Sequence, residues 1–510
     1  MRHVPRELRT RIALVVGALT GLYASTVAAQ PAPPPAPPPD APPLAEPPPP
    51  VPAPDAPAPD PLGDALHPAP GGLTPADAAR HASGSSRVLA AKRAEIEAAA
   101  AKVDQSLVAF FPILTLSATY TRLSKVDSKL DLGLPPGTPG IPEGGFALES
   151  PLNSYQLAAS LVVPLTDYVL RLTQAYAAAS ESTEAKRLEA RAQELKDEGD
   201  AKTAYLNWIR AKGRRVVAEL AVKQAQAHIE DARVALAAGV GTRADVLRLE
   251  AQVAAAQQLV AATAAYEALG EEQLHMLMHD DRKQPLAVGI DVMTDPSAGQ
   301  DPPLEELVQI ALSRRVELQA LEANVRALES SRSVLWAGHL PRIDAFADLL
   351  YANPNPRVFA SGEDGKWVGT WDVGVRLTWR VNDTFTALGS TSEVDSNLAA
   401  LRARAEALRD GVVLEVTAAY YDKRRARASI NAALAREQAG EEGLRLRRMQ
   451  LRAGKAKAAD IVDAETELTR SRLDRLDAHV DLLAAGVRLE YAMGGPVDAS
   501  TPGGAIAPLR

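Results

Sequence analysis

The side chains able to do chemistry in this sequence are few, and they fall in three places. His275, Met276, Met278 and His279 form one dense group of donors, with His275 and His279 on a shared helical face at i, i+4 spacing. The pair would suit copper or zinc. No third strong ligand lies nearby in sequence, however, and histidines at a helix end also cap carbonyls. They are weak metal candidates, and no cofactor is expected. Gly239-Val240-Gly241-Thr242 resembles a phosphate loop superficially, but it lacks the third glycine and follows a helical pattern where a nucleotide motif needs a strand. The third group is acidic: Asp245 follows Gly239, and Asp460 and Asp463 follow Gly454, the last two at the i, i+3 spacing that puts both on one helical face. No H-E-x-x-H, G-x-S-x-G or Walker lysine motif is present, so no enzyme is expected.

The composition suggests what could carry these groups. Only 4% of the 510 residues are aromatic, while Ala, Leu, Arg and Glu crowd the middle of the chain, a bias of coiled-coil proteins. The net charge of -8 comes from interspersed acids and bases without a basic stripe, so nucleic acid is not an expected partner. The chain has no cysteine, which excludes disulfides, thiolate metal sites, thiol catalysis and a lipidated cysteine anchor. Residues 1–29 read as a signal peptide: Arg2, Arg6, Arg9 and Arg11 precede an apolar run from Ile12, which ends in the small residues Val27-Ala28-Ala29. No later stretch offers the ~18 uninterrupted apolar residues of a membrane helix. Residues 30–72 read as a Pro-rich disordered linker, either a tether or a docking strand for a partner or the cell wall, with a reach of ~120 Å at ~3.1 Å per residue.

From Leu73 the chain is written twice. Phe111-Pro112-Ile113 matches Leu340-Pro341-Arg342, Tyr155 to Asp167 matches Trp371 to Asp383, and Leu236-Ala-Ala-Gly239 with Asp245 matches Leu451-Arg-Ala-Gly454 with Asp460. The repeats span 73–279 and 304–495, joined by a connecting segment at 280–303 and followed by a tail at 496–510. Each reads helix, strand, loop, strand, very long helix, tight turn, helix. The long helices, 168–238 and 384–453, would each extend ~105 Å at ~1.5 Å per residue. The returning helices, 243–279 and 458–494, and the leading ones, 75–111 and 304–340, are about half that length. Laid end to end, pairs of short helices would match one long helix, with 280–303 as an equatorial belt.

The strands carry the strongest pattern. Leu114, Leu116, Ala118 and Tyr120 alternate with Thr115, Ser117, Thr119 and Thr121, and expected strands at 113–123, 154–165, 342–351 and 371–382 each have one apolar and one polar face. Ten-residue strands of this kind, with aromatics near their ends, suit a transmembrane β-barrel. Four strands cannot close around a channel, and an open edge cannot face lipid. Three chains supplying four strands each would close a 12-stranded barrel.

The duplicated halves and the G-x5-D turns are similar to those of the TolC-like outer membrane efflux proteins. The resemblance runs from about 73 to 495, and Gly454 to Glu467 (GKAKAADIVDAETE) resembles the tip where that family's inner hairpin turns back. It implies a mostly α fold with membrane β: duplicated long helical hairpins forming a periplasmic α-barrel below a trimeric 12-stranded β-barrel. It further implies a homotrimer in contact with outer-membrane lipid, serving a tripartite efflux or type I secretion system with a periplasmic adaptor and an inner-membrane transporter. Asp460, Asp463 and Asp245 would be gate residues, or simply helix-start carboxylates. Gly239, Val240, Gly241, Thr242, Arg452, Gly454 and Lys455 would be adaptor-contact tips. The arginine and tyrosine that latch the family's gate are replaced here by Ala456 and Leu451, with Lys455 and Lys457 nearby. A soluble periplasmic coiled-coil adaptor or scaffold is the alternative, and the tryptophan-bearing strands tell against it.

Overall fold

The structure is a computed structural model. It describes residues 61–125, 127–130, 139, 146–149, 152–239, 241–280, 284–294, 302–358, 366–453 and 455–495, all within the unit Pro59–Arg510. The expected signal peptide, the Pro-rich stretch up to residue 60, the tail, Val240, Gly454 and the side chain of Arg452 lie outside the described residues.

The first described element is α1 (Pro61–Ala65). The linker expected as far as residue 72 therefore gives way to packed chain earlier: Leu62 and Leu66 are buried in the largest apolar core. The backbone N–H groups of Ala69 and Leu73 each donate at 2.8 Å to the 284–294 segment. Each leading helix, expected to be continuous, is broken. The first divides into α2 (Pro75–Ser85) and α3 (Arg87–Val108) at Ser86, whose hydroxyl accepts from the Leu89 N–H at 3.2 Å and caps α3. The second divides into α7 (Leu304–Arg314) and α8 (Val316–Trp336) at Arg315. That side chain is buried, donates to the carbonyls of Tyr491 and Ala492 at 3.3 Å, and pairs with Glu415 at 3.0 Å. The kink exists to reach the far end of the chain.

Strands β1 (Ile113–Arg122), β4 (Asn153–Pro164), β5 (Arg342–Asn353) and β6 (Val368–Thr378) form an antiparallel sheet in the order β1-β4-β5-β6. Two short strands, β2 (Asp127–Leu130) and β3 (Phe146–Glu149), pair within the β1–β4 connection, where no strand was expected. After β4 come a short turn of helix, α4 (Leu165–Asp167), a π turn over Tyr168–Leu172, and the 65-residue α5 (Thr173–Ala237), which returns as α6 (Arg243–Met278). Strand β6, expected to reach 382, stops at Thr378, and the 72-residue α9 (Val381–Arg452) starts three residues later, returning as α10 (Ala458–Ala492). At about 1.5 Å per residue, α5 and α9 extend about 98 and 108 Å.

The core sits around the middle of α5, where Tyr205, Trp208 and Ile209 pack with Leu274, Val288, Leu476 and Val480. Glycines let the helices approach: a Cβ on Gly213 of α5 would stand 2.7 Å from a Leu476 methyl of α10, and one on Gly270 of α6 would stand 3.2 Å from the Trp208 Cα. Burial pushes the Tyr205 hydroxyl up to about 12, against the opposing effect of the Gly289 N–H that donates to it at 3.3 Å.

Candidate functional site

Strand register fixes what each face of the sheet carries. One row across the four strands is Leu114, Leu161, Ala347 and Val373, and the next is Leu116, Ala159, Leu349 and Trp371. The intervening row on the opposite face is Thr115, Ser160, Asp348 and Asp372. The apolar face is bare: Leu116 is 73% and Trp371 74% exposed. So continuous an apolar surface is stable only when lipid or protein covers it. Aromatic side chains gather at both ends of it. At the loop end, the ring centroids of Tyr120 and Tyr155 are 5.1 Å apart, as are those of Tyr351 and Trp367. At the helix end Phe111, Trp336 and Trp379 are exposed. An apolar band between two aromatic belts is the signature of a membrane β-barrel wall.

The polar face is charged. Arg342 pairs with Asp344 at 2.7 Å, Arg357 with Asp372, and the Arg376 guanidinium lies 4.7 Å from the Phe346 ring centroid. Gly374 makes room for that ring, since a Cβ there would come within 2.9 Å of it. Strands β1 and β6 are the edges, with one side of each unpaired among the described residues.

At the other end of the molecule the long helices turn back. Gly239 adopts φ +74°, a left-handed conformation that glycine takes without strain, and ends the first hairpin's outgoing helix. Thr242 then caps α6: its hydroxyl accepts from the Asp245 N–H, and the Asp245 carboxylate accepts from the Thr242 N–H, each at 3.2 Å. In the second hairpin Asp460 likewise accepts from the Lys457 N–H at 2.8 Å. Asp245 and Asp460 thus occupy equivalent helix-start positions, both half-buried, while Asp463 is exposed one turn further on. Among the described tip residues Thr242 and Lys455 are also exposed. The tips meet through Ile229 and Leu249 of the first hairpin and Ala458 of the second.

His275 and His279 have different neighbours. His275 is buried and faces Asp280 at 3.4 Å. His279 takes φ 51° and ends α6, its N–H donating to the Met276 carbonyl at 3.3 Å. Among the described residues no three His, Cys, Asp or Glu side chains form a group that could hold a metal ion. The pair terminates a helix.

The structure also assembles a group that sequence reading left apart. His228 of α5, Glu465 of α10 and Arg448 of α9 meet one to three turns above the tips. Glu465 Oε1 accepts from His228 Nε2 at 2.7 Å and from Arg448 Nη2 at 2.8 Å. Burial would raise the Glu465 carboxyl, but these two donors hold it below the ordinary carboxylate range. No local signal marks the group, because His228 and Glu465 come from different halves of the chain.

A wall-like sheet with a lipid-suited face, carried on helical hairpins of about 100 Å, defines an outer-membrane channel protein and not an enzyme. The outer membrane efflux protein family model matches residues 79–274 and 307–495, and the chain belongs to that family. Solved structures agree on the fold. The outer membrane protein VceC of Vibrio cholerae is 17% identical with a TM-score of 0.65, over 82% of this chain and 95% of that one. The CmeC outer membrane channel of Campylobacter jejuni is 13% identical with a TM-score of 0.67, over 84% and 90%. The MtrE outer membrane channel of Neisseria gonorrhoeae is 18% identical with a TM-score of 0.67, over 82% and 89%. No curated protein matches the sequence.

Proposed function

We propose that three copies of this chain form the passive exit duct of a tripartite efflux or type I secretion system, gated at the periplasmic tips. The observation that carries this reading is the four-stranded sheet with an apolar outer face and two open edges. An edge facing lipid leaves backbone groups unbonded, so β1 of one copy pairs with β6 of the next, and three copies close 12 strands, an even number within the range of about 8 to 26 for outer-membrane barrels. The polar face, with Asp344, Asp348, Asp372 and Arg376, then lines the lumen. At the opposite end Asp460 and Asp463 of three chains form a ring of carboxylates that attracts cations, with Asp245 on the neighbouring hairpin. The turns at Gly239 to Thr242 and Arg452 to Lys455 meet a periplasmic adaptor, which links the duct to an inner-membrane transporter.

Membrane fractionation followed by mass determination of the detergent-solubilised species tests the assembly; a soluble monomer would contradict it. Conductance then tests the gate. Asp463→Ala leaves the helix cap intact and is expected to lower the cation-to-anion permeability ratio, and an unchanged ratio would remove Asp463 from the gate.

A further inference from the structure

Along most of its length α10 is tied to both of its neighbours by ion pairs. Lys202 and Arg214 of α5 reach Glu490 and Asp477 at 2.6 and 2.7 Å, while Glu441 and Glu437 of α9 accept from Arg472 and Arg475 at 3.0 and 2.9 Å. Nearer the tips, the His228–Glu465–Arg448 group is a polar link between the two hairpins. Helices α5 and α9 both pack against α10, and at this level Arg448 Nη2 also lies 3.4 Å from His228 Nε2. One carboxylate oxygen of α10 collects a donor from a helix of each hairpin. His228 and Glu465 are 9% and 6% exposed, so losing the acceptor strands a buried imidazole N–H and deprives Arg448 of its counter-charge. A carboxylate accepts only, which assigns the shared proton to His228 Nε2.

At the turn itself Ala456 and Leu451 offer no hydrogen-bonding side chain. We propose that Glu465, with His228 and Arg448, is the clasp that holds the inner hairpin α9–α10 against α5 and keeps the tip shut, a role that rests on the gated-tip reading above. The clasp differs from a surface ion pair in that its acceptor and its histidine are buried, while Arg448 reaches in from a side chain that is 41% exposed. The His228–Glu465 bond is the one that crosses between the hairpins, and Arg448 holds the carboxylate in place on its own side, so parting the hairpins breaks a buried bond and adds a threshold to opening. Removing the His228–Glu465 bond shifts the population towards the open tip by the differential free energy that bond supplied.

The test uses the full chain in planar bilayers, comparing the native protein with Glu465→Gln, His228→Leu and His228→Gln. Glu465→Gln keeps the shape and removes the charge; His228→Leu removes the donor; His228→Gln restores one. The first two are expected to raise open probability about tenfold or more, as for loss of a hydrogen bond to a charged group, while His228→Gln stays near the native value. Native-like conductance of Glu465→Gln overturns the clasp. If Glu465→Gln fails to assemble, the histidine pair decides: equal open probability in His228→Leu and His228→Gln overturns it as well. Clasp variants that conduct like the native chain while Asp463→Ala still alters selectivity refute the clasp alone. Native-like behaviour of all of them removes the gated-tip reading too.

Discussion

Val373 stands at the middle of β6, on the face opposite the charged one, between Trp371 and Val375 and across from Ala347. It is 66% exposed in the chain, so replacement by arginine creates no clash and breaks no hydrogen bond within it. In water the change would be almost neutral. If lipid covers this face, an arginine at mid-depth costs ~2–4 kcal/mol per chain, and ~6–12 kcal/mol over three copies, comparable to a whole domain's stability. The matched control is Asp348→Arg. It introduces the same side chain at similar depth on the polar face, opposite Asp372, where an exposed pairing changes stability by no more than ~1 kcal/mol. Outer-membrane abundance and the urea midpoint of the reconstituted assembly measure both variants. Val373→Arg is expected to be depleted and to dissociate at lower urea, with Asp348→Arg close to native. Equal losses in the two variants, or the reverse order, would refute the assignment of faces on which the channel reading depends.

Trp208, 1% exposed, packs on Tyr205 with a ring separation of 5.7 Å and faces the backbone of α6 at Gly270. Trp208→Ala is expected to cost ~3–5 kcal/mol, read as a lower urea midpoint of the helical circular dichroism signal. Acid should weaken the native protein through Glu465. Its carboxyl is held below the unfolded value, so its stabilisation is complete above the ordinary glutamate range near ~4.3 and is lost as pH falls through the lowered folded value. The urea midpoint of Glu465→Gln should therefore fall less steeply in that acid window, and identical slopes would contradict the assignment. Glu437 behaves in the opposite sense. Burial raises its carboxyl despite Arg475 and Arg472, so Glu437→Gln should remove a contribution that grows on acidification through the raised value, again read from the midpoint against pH.

The membrane strands were legible because lipid and lumen impose opposite demands on alternate residues, and ten-residue runs such as Ile113–Arg122 show little else. The long hairpins were legible because Gly239 and the Thr242–Asp245 cap punctuate helical chain at a fixed spacing. Other features depend on distant contacts. Ser86 carries a local capping cue that sits inside an otherwise unbroken helical pattern, so the break it makes is easily read through. The break at Arg315 is fixed by carbonyls of Tyr491 and Ala492, which local sequence cannot announce. The start of α9 was masked because Arg380 and Asn382 continue the strand's alternation by type while already belonging to the cap and first turn of a helix. The acidic residues at the tips were legible as helix-start carboxylates, but that Asp245 and Asp460 accept cap hydrogen bonds while Asp463 stands exposed one turn on was visible only in coordinates. His228 looked isolated for the same reason that Arg315 looked ordinary: its partners lie on other helices.

The two open edges of the sheet also set the order of events in the life of the molecule. Backbone amides of β1 and β6 have nothing to bond in hydrocarbon, so a lone copy has no low-energy way to enter the bilayer, and dilution cannot return an assembled wall to single inserted chains. In the three-copy assembly proposed above, association and insertion are therefore one event. On that proposal each copy must cross the periplasm before assembly with its greasy face under cover, and the meeting of copies becomes a step that duct formation cannot bypass.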